Sequence, residues 1–222
     1  MTNKTLRCIH RHTIEDHPSC FATGMVKAPL AKSKKVTPWW KEANIRIGYL
    51  DIETSHLEAD WGVMLTWAIK DRNGEVVSDF ITKEELFNGS NDLRIVKSLL
   101  EEMKKYDVFV TYYGTGFDLP YIRSRALFYK LNPPAYGENY HFDLYYTVRS
   151  KLRLQSNSLV SVCQFFKIPG KGRVDAALWQ KARYGDEKSL QEVLKHNLED
   201  VVALEKVHKI MERFQKWMKK SA

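Results

Sequence analysis

The chain has 222 residues, one to two domains at about 150 residues each, and its hydrophobic share of 44% beside 28% charged residues excludes a wholly disordered protein. No stretch approaches the roughly 18 consecutive apolar residues of a membrane span, and the opening Met1-Thr2-Asn3-Lys4 has no apolar signal core, so a cytoplasmic protein without membrane contact is expected. The net charge of +8 favours an anionic partner, and its excess is concentrated in residues 1–42, where eight Lys/Arg stand against three acids.

Residues 1–42 read as a small Cys/His element and a basic linker. Cys8, His10, His12, His17 and Cys20 lie within thirteen residues. Zinc takes four S/N ligands in a tetrahedron. Cys8, His17 and Cys20 with either His10 or His12 form the natural set, and a flexible basic tail is the plainer alternative. The odd number of cysteines, three in all, makes a poor disulfide framework.

The pattern then becomes globular over 43–222. Ile45 to Ile52 reads as a strand, followed by strands over Gly62 to Ile69 and Val76 to Thr82. Asp71-Arg72-Asn73-Gly74 supplies an Asn-Gly turn whose central residues both tolerate positive φ. Leu93 to Tyr106 places its apolar residues at helical spacing. Asp107 to Tyr113 reads as a short buried strand, Leu119 to Tyr129 as a helix and His141 to Val148 as a fifth strand. From Ser158 the chain is helical, and Leu190 to Trp217 forms one long helical pattern. A hairpin meander, alternating helix and strand, then helices predict an α/β fold: a mixed five-stranded sheet flanked by helices.

Three acidic segments carry chemistry. Asp51 and Glu53 are two apart on a strand, so both carboxylates project from one face. Side by side they repel unless protonated or met by cations, and hard oxygen donors suit Mg²⁺ or Mn²⁺. In Tyr112-Tyr113-Gly114-Thr115-Gly116-Phe117-Asp118 the chain leaves a strand through two glycines and sets Asp118 at a helix start, where taken alone it reads as an N-cap. His196 and Asp200 lie one turn apart on one helix face, which taken alone reads as a solvated polar face.

Taken together, these segments resemble the three motifs of the DEDD superfamily of 3′→5′ exonucleases over residues 44–210, closest to the proofreading domain of family B DNA polymerases and its stand-alone relatives. The resemblance implies an RNase H-like fold and a free-standing, metal-dependent 3′→5′ exonuclease acting on single-stranded DNA or 3′ ends, with RNA a second possible substrate. Asp51, Glu53, Asp118 and Asp200 would bind two Mg²⁺ or Mn²⁺, one ion activating water and the other stabilising the leaving 3′ oxygen. His196 departs from the family: its spacing to Asp200 is that of the family's tyrosine subclass, its residue type that of the histidine subclass. It orients water, deprotonates it, or only packs nearby. By position Thr54, Leu57 and Phe117 resemble contacts to the terminal nucleotide, with ordinary core packing the alternative for Leu57 and Phe117. Lys171 reaches toward phosphate from a Pro-Gly loop or is a solvated turn, and Asp143 is a supporting group or a helix cap. A structure-specific endonuclease on the same fold and a catalytically idle nucleic-acid-binding module are the competing readings.

Overall fold

The computed structural model describes residues 7–8, 26–27, 45–135, 137–170, 175–214 and 219–220. The chain divides into two compact units, Met1–Glu42 and Ala43–Ala222. In the first, β1 (Arg7–Cys8) pairs antiparallel with β2 (Val26–Lys27). The zinc candidates His10, His12, His17 and Cys20, and the side chain of Cys8, lie outside the described residues, as does Lys171.

The second unit is built on β3 (Ile47–Thr54), β4 (Met64–Asp71), β5 (Val76–Phe80), β6 (Val108–Thr111) and β7 (Tyr140–Asp143). Their order is β5-β4-β3-β6-β7, antiparallel across β5-β4-β3 and parallel across β3-β6-β7. The mixed five-stranded sheet expected from the sequence is present. A two-residue edge strand, β8 (Lys219–Lys220), extends it antiparallel to β7. The helices are α1 (Lys83–Phe87), α2 (Leu93–Met103), α3 (Asp118–Phe128), α4 (Leu144–Lys151), α5 (Leu159–Phe165), α6 (Ala176–Arg183) and α7 (Glu187–Met211). Among the described residues no helix is long and apolar enough to cross a membrane.

All eight residues of β4 are buried, so helices must cover the sheet on both faces there. Side chains alternate along a strand, and the contacts identify the two faces. The Trp67 indole N–H donates to Ser98 on α2 (3.2 Å), which puts the odd-numbered positions of β4 on the α2 side. Thr66 Oγ1 donates to Asn197 on α7 (3.0 Å), and Lys70 pairs with Glu205 of α7 at 3.3 Å, which puts the even positions on the α7 side. The register pairs Asp51 with Ala68 and Glu53 with Thr66. Asp51 and Glu53 therefore face α7, while Leu50 and Ile52 point into the apolar core.

Several elements differ from their sequence reading for local reasons. The predicted strand over His141 to Val148 ends at Asp143, whose side chain accepts the Tyr145 N–H (3.1 Å) and caps α4. Capping the first-turn amides outweighs the β-propensity of the tyrosines that follow. The β4–β5 turn is a three-residue loop, Arg72 to Gly74, in which only Gly74 has positive φ (+106°). The long C-terminal helix begins at Glu187 behind an Asp186 cap and gives way at Glu212 to a 3₁₀ turn, so it stops short of Trp217. The helix read over Leu93 to Tyr106 ends at Met103. Lys83–Phe87, read as neither helix nor strand, is set by a Thr82/Glu85 capping box.

Candidate active site

The site forms where β3 outruns its neighbour. β6 pairs only with Ile47 to Tyr49, so the second half of β3 has no strand on that side. A buried amide needs a partner, and the Ile52 N–H finds it in Asp118 Oδ1 at 3.1 Å. The chain thus leaves β6, turns through residues 112–117 and returns the first residue of α3 to the β3 backbone. On the other edge, a register shift between Glu53 and Thr54 marks a bulge, a device that re-aims side chains at a strand end.

The turn itself is tightly specified. Tyr113 and Thr115 both donate their backbone N–H to the Asp143 carboxylate at 2.9 Å. A Cβ on Gly116 would stand 2.5 Å from the Tyr113 ring, so a side chain there would displace that ring. Asp143 therefore has two duties, as cap of α4 and as clamp on the loop that delivers Asp118. Tyr112 turns inward: its hydroxyl donates to Asn157 O at 2.5 Å.

α7 supplies the remaining groups. His196 Nε2 lies 3.8 Å from Glu53 Oε1 and 3.8 Å from Asp200 Oδ2. Ligand atoms of Glu53, His196 and Asp200 all fall within 4.8 Å of one another, close enough to share one cation. Between them in sequence, fully buried Asn197 bridges the sheet to the site. Its Oδ1 accepts from Thr66 and its Nδ2 donates to Asp51 Oδ2 at 2.6 Å, which orients that carboxylate. Asp118 is buried beside Asp51. Burial first, and the Asp51 charge second, push its carboxyl well above the usual carboxylate range. An added divalent cation would offset both effects, and the hard carboxylate oxygens of this set fit Mg²⁺ or Mn²⁺.

Beside Glu53 opens a cleft of about 490 Å³, walled by residues 53–58, Phe117, Trp179 and Arg183. Thr54, Leu57 and Phe117, singled out in the sequence, all line it. Leu57 is exposed rather than core, whereas Phe117 packs on Tyr121 at 5.6 Å between centroids. A buried charge pair holds Ala59, the residue that follows Glu58 of the cleft. Asp92 accepts from Arg125, from the Met64 N–H (2.7 Å) and from the Tyr129 hydroxyl (2.7 Å), and Arg125 also holds Ala59 O at 3.0 Å. Asn197, Trp179 and Arg183 had no site role in the sequence reading. The only hint for Asn197 was a buried-face position beside His196, and no local signal marks the other two.

A family model described as RNase_H superfamily (RNase_H_2) matches residues 48–212. The DNA polymerase of Thermococcus litoralis is 25% identical over 87% of this chain and 13% of its own length. DNA polymerase 1 of Pyrococcus abyssi is 24% identical over 86% of this chain and 28% of its own. The chain thus spans well under a third of these relatives. A family B DNA polymerase structure from Pyrobaculum calidifontis superimposes with a TM-score of 0.61 at 18% identity, covering 77% of this chain and 25% of that one, a likeness of fold.

Proposed function

The chain belongs to the RNase_H superfamily, and from that membership we propose that it is a nuclease, and more narrowly a metal-dependent 3′→5′ exonuclease on single-stranded DNA or 3′ ends. The observation that supports this reading is the group of Glu53, His196 and Asp200, whose ligand atoms lie within 4.8 Å of one another, with Asp51 two residues from Glu53 on β3 and buried Asp118 at the start of α3 feeling the Asp51 charge. Similarity to DNA polymerases and the basic balance of the chain support nucleic acid as substrate.

In this reading Asp51, Glu53, Asp118 and Asp200 hold two Mg²⁺ or Mn²⁺. Such ions supply charge stabilisation to the phosphoryl group and acidify water. The protein's own groups do the positioning. Asn197 keeps Asp51 in one orientation, and the Ile52 amide does the same for Asp118. His196 Nε2, held between Glu53 and Asp200, orients the attacking water and takes up its proton. The cleft receives the terminal nucleotide, with Thr54 on its sugar, Leu57, Phe117 and Trp179 around the base, and Arg183 on a phosphate. Lys171 serves as a further phosphate contact. In the unit Met1–Glu42 one structural Zn²⁺ is assigned to Cys8, His17, Cys20 and either His10 or His12. Metal analysis, with alkylation of Cys8 and Cys20 as second readout, tests that assignment.

The deciding experiment is one time course on 3′- and 5′-labelled DNA and RNA strands and a circular single strand, with Mg²⁺, Mn²⁺ or EDTA. A 5′-labelled strand shortening stepwise from its 3′ end, with the circle intact and EDTA blocking the reaction, is the expected result. A cut circle makes the protein an endonuclease. No cleavage in any arm leaves a binding module.

A further inference from the structure

An aromatic group next to the cleft has no role in the chemistry above. Tyr113 has φ of +69°, a left-handed conformation that costs a bulky residue and that glycine adopts freely. Burial does not offset that cost, because Tyr113 is 45% exposed. Three separate features nevertheless hold its ring in place. Asp143 takes the Tyr113 and Thr115 amides. Gly116 leaves the space the ring occupies. The Tyr145 ring meets it edge-on at 5.0 Å and 71°.

Tyr146, equally exposed, lies 6.3 Å from Tyr113 at an interplanar angle of 39°. Tyr112 and Tyr145, themselves 6.0 Å apart, support the exposed pair from below. Three residues along α4, Arg149 is exposed and shares the face of Tyr146. The Tyr113 ring lies against Gly116, the residue before Phe117 of the cleft wall.

We infer that Tyr113, Tyr146 and Arg149 form a landing platform for unpaired nucleotides that precede the one in the cleft. The inference rests on the nuclease reading and adds to it a binding surface for single strands. Two half-exposed tyrosines with an arginine one helical turn along match the chemistry of an unpaired strand, whose bases stack without regard to sequence while its phosphates pair with Arg. A duplex offers no free base faces and gains nothing from such rings. The strained backbone of Tyr113 is retained because its ring must stand out to solvent beside the reacting end.

The test is fluorescence anisotropy of a labelled ten-residue oligothymidylate with the full chain in EDTA, so that hydrolysis does not intrude. An abasic strand of equal length runs in parallel, and thermal melts accompany every variant. Tyr113→Gly and Tyr146→Ala should each raise Kd about five- to tenfold on the oligothymidylate and leave Kd on the abasic strand within twofold of the parent. Tyr113→Gly should hold or raise the melting temperature, since glycine relieves the left-handed strain. Arg149→Ala should weaken both strands and reduce the salt slope by about 0.7. Phe87→Ala, an exposed aromatic on α1, is the control that changes neither Kd. An unchanged Kd in both tyrosine variants overturns the platform, as does an equal loss on the abasic strand. If the parent protein binds as described but cleaves nothing with Mg²⁺ or Mn²⁺, the nuclease reading fails while the platform stands.

Discussion

Two places in the molecule bury an aspartate, and they do so to opposite ends. Asp92 is fully enclosed and is met by a guanidinium, an amide and a phenol, all donors. Asp118 is almost as enclosed, accepts one amide of β3, and has a second carboxylate, Asp51, for a neighbour. The first arrangement is complete as it stands and ties α2, α3 and the loop at Ala59 together. The second sets two carboxyl groups side by side, a repulsion that a cation would relieve. Equal burial of one residue type is therefore no guide to its role. The sign of what surrounds it is.

Asp118→Asn should break the second region without harming the first. The amide still accepts from Ile52 and removes a buried carboxyl facing Asp51. Cleavage should fall on the order of 10⁴-fold, about 5 kcal/mol of transition-state stabilisation, while the metal-free protein melts at an equal or higher temperature. Retained cleavage, or a melting temperature lower by several degrees, would refute the contrast.

Arg125→Met should give the reverse pattern. It leaves Asp92 buried without its cation and should cost about 3–5 kcal/mol in urea unfolding. Replacing both partners, Asp92→Leu with Arg125→Met, should recover part of that loss, because the uncompensated charge goes with them. A full loss in the double variant would mean that packing, not charge, holds this region together.

A third buried group, His141, sharpens the comparison through pH. Burial pushes its imidazole down to about 4, below the ordinary unfolded value near 6.5. Between those values the unfolded chain binds the extra proton, so stability rises with pH across the window and is lost as pH falls through it, by on the order of 3 kcal/mol. Asp118 acts with the opposite sign in metal-free protein. Its raised carboxyl keeps a proton the unfolded chain has released, so its contribution falls as pH climbs above the usual carboxylate range. Urea titrations in steps from about pH 4 to about pH 8 should show His141→Gln flattening the rise and Asp118→Asn flattening the fall.

The smallest effect belongs to the cleft. Trp179→Ala should raise KM for oligonucleotide cleavage about fivefold, roughly 1 kcal/mol, with kcat less affected. Arg183→Ala should raise KM by a similar factor and weaken its salt dependence. An unaltered KM in both would remove α6 from the substrate site.

The sequence by itself determined whatever depends on local periodicity. A spacing of two puts Asp51 and Glu53 on one strand face, a spacing of four puts His196 and Asp200 on one helix face, and two glycines before Asp118 mark a tight return from β6. The five-strand mixed sheet was legible for the same reason. At Asp143 the sequence offered both a strand continuing to Val148 and a helix cap, and only the helix packed behind it decides between them. Tertiary structure alone decided which distant groups meet: Asn197 on Asp51 across 146 positions, Asp143 on the loop before Asp118, Trp179 and Arg183 on the cleft, and Tyr113 outside while Tyr112 is inside. Those choices are set by the length by which β3 outruns β6 and by the face α7 lays on the sheet. Both are properties of strands and helices packed together, which no window of sequence contains.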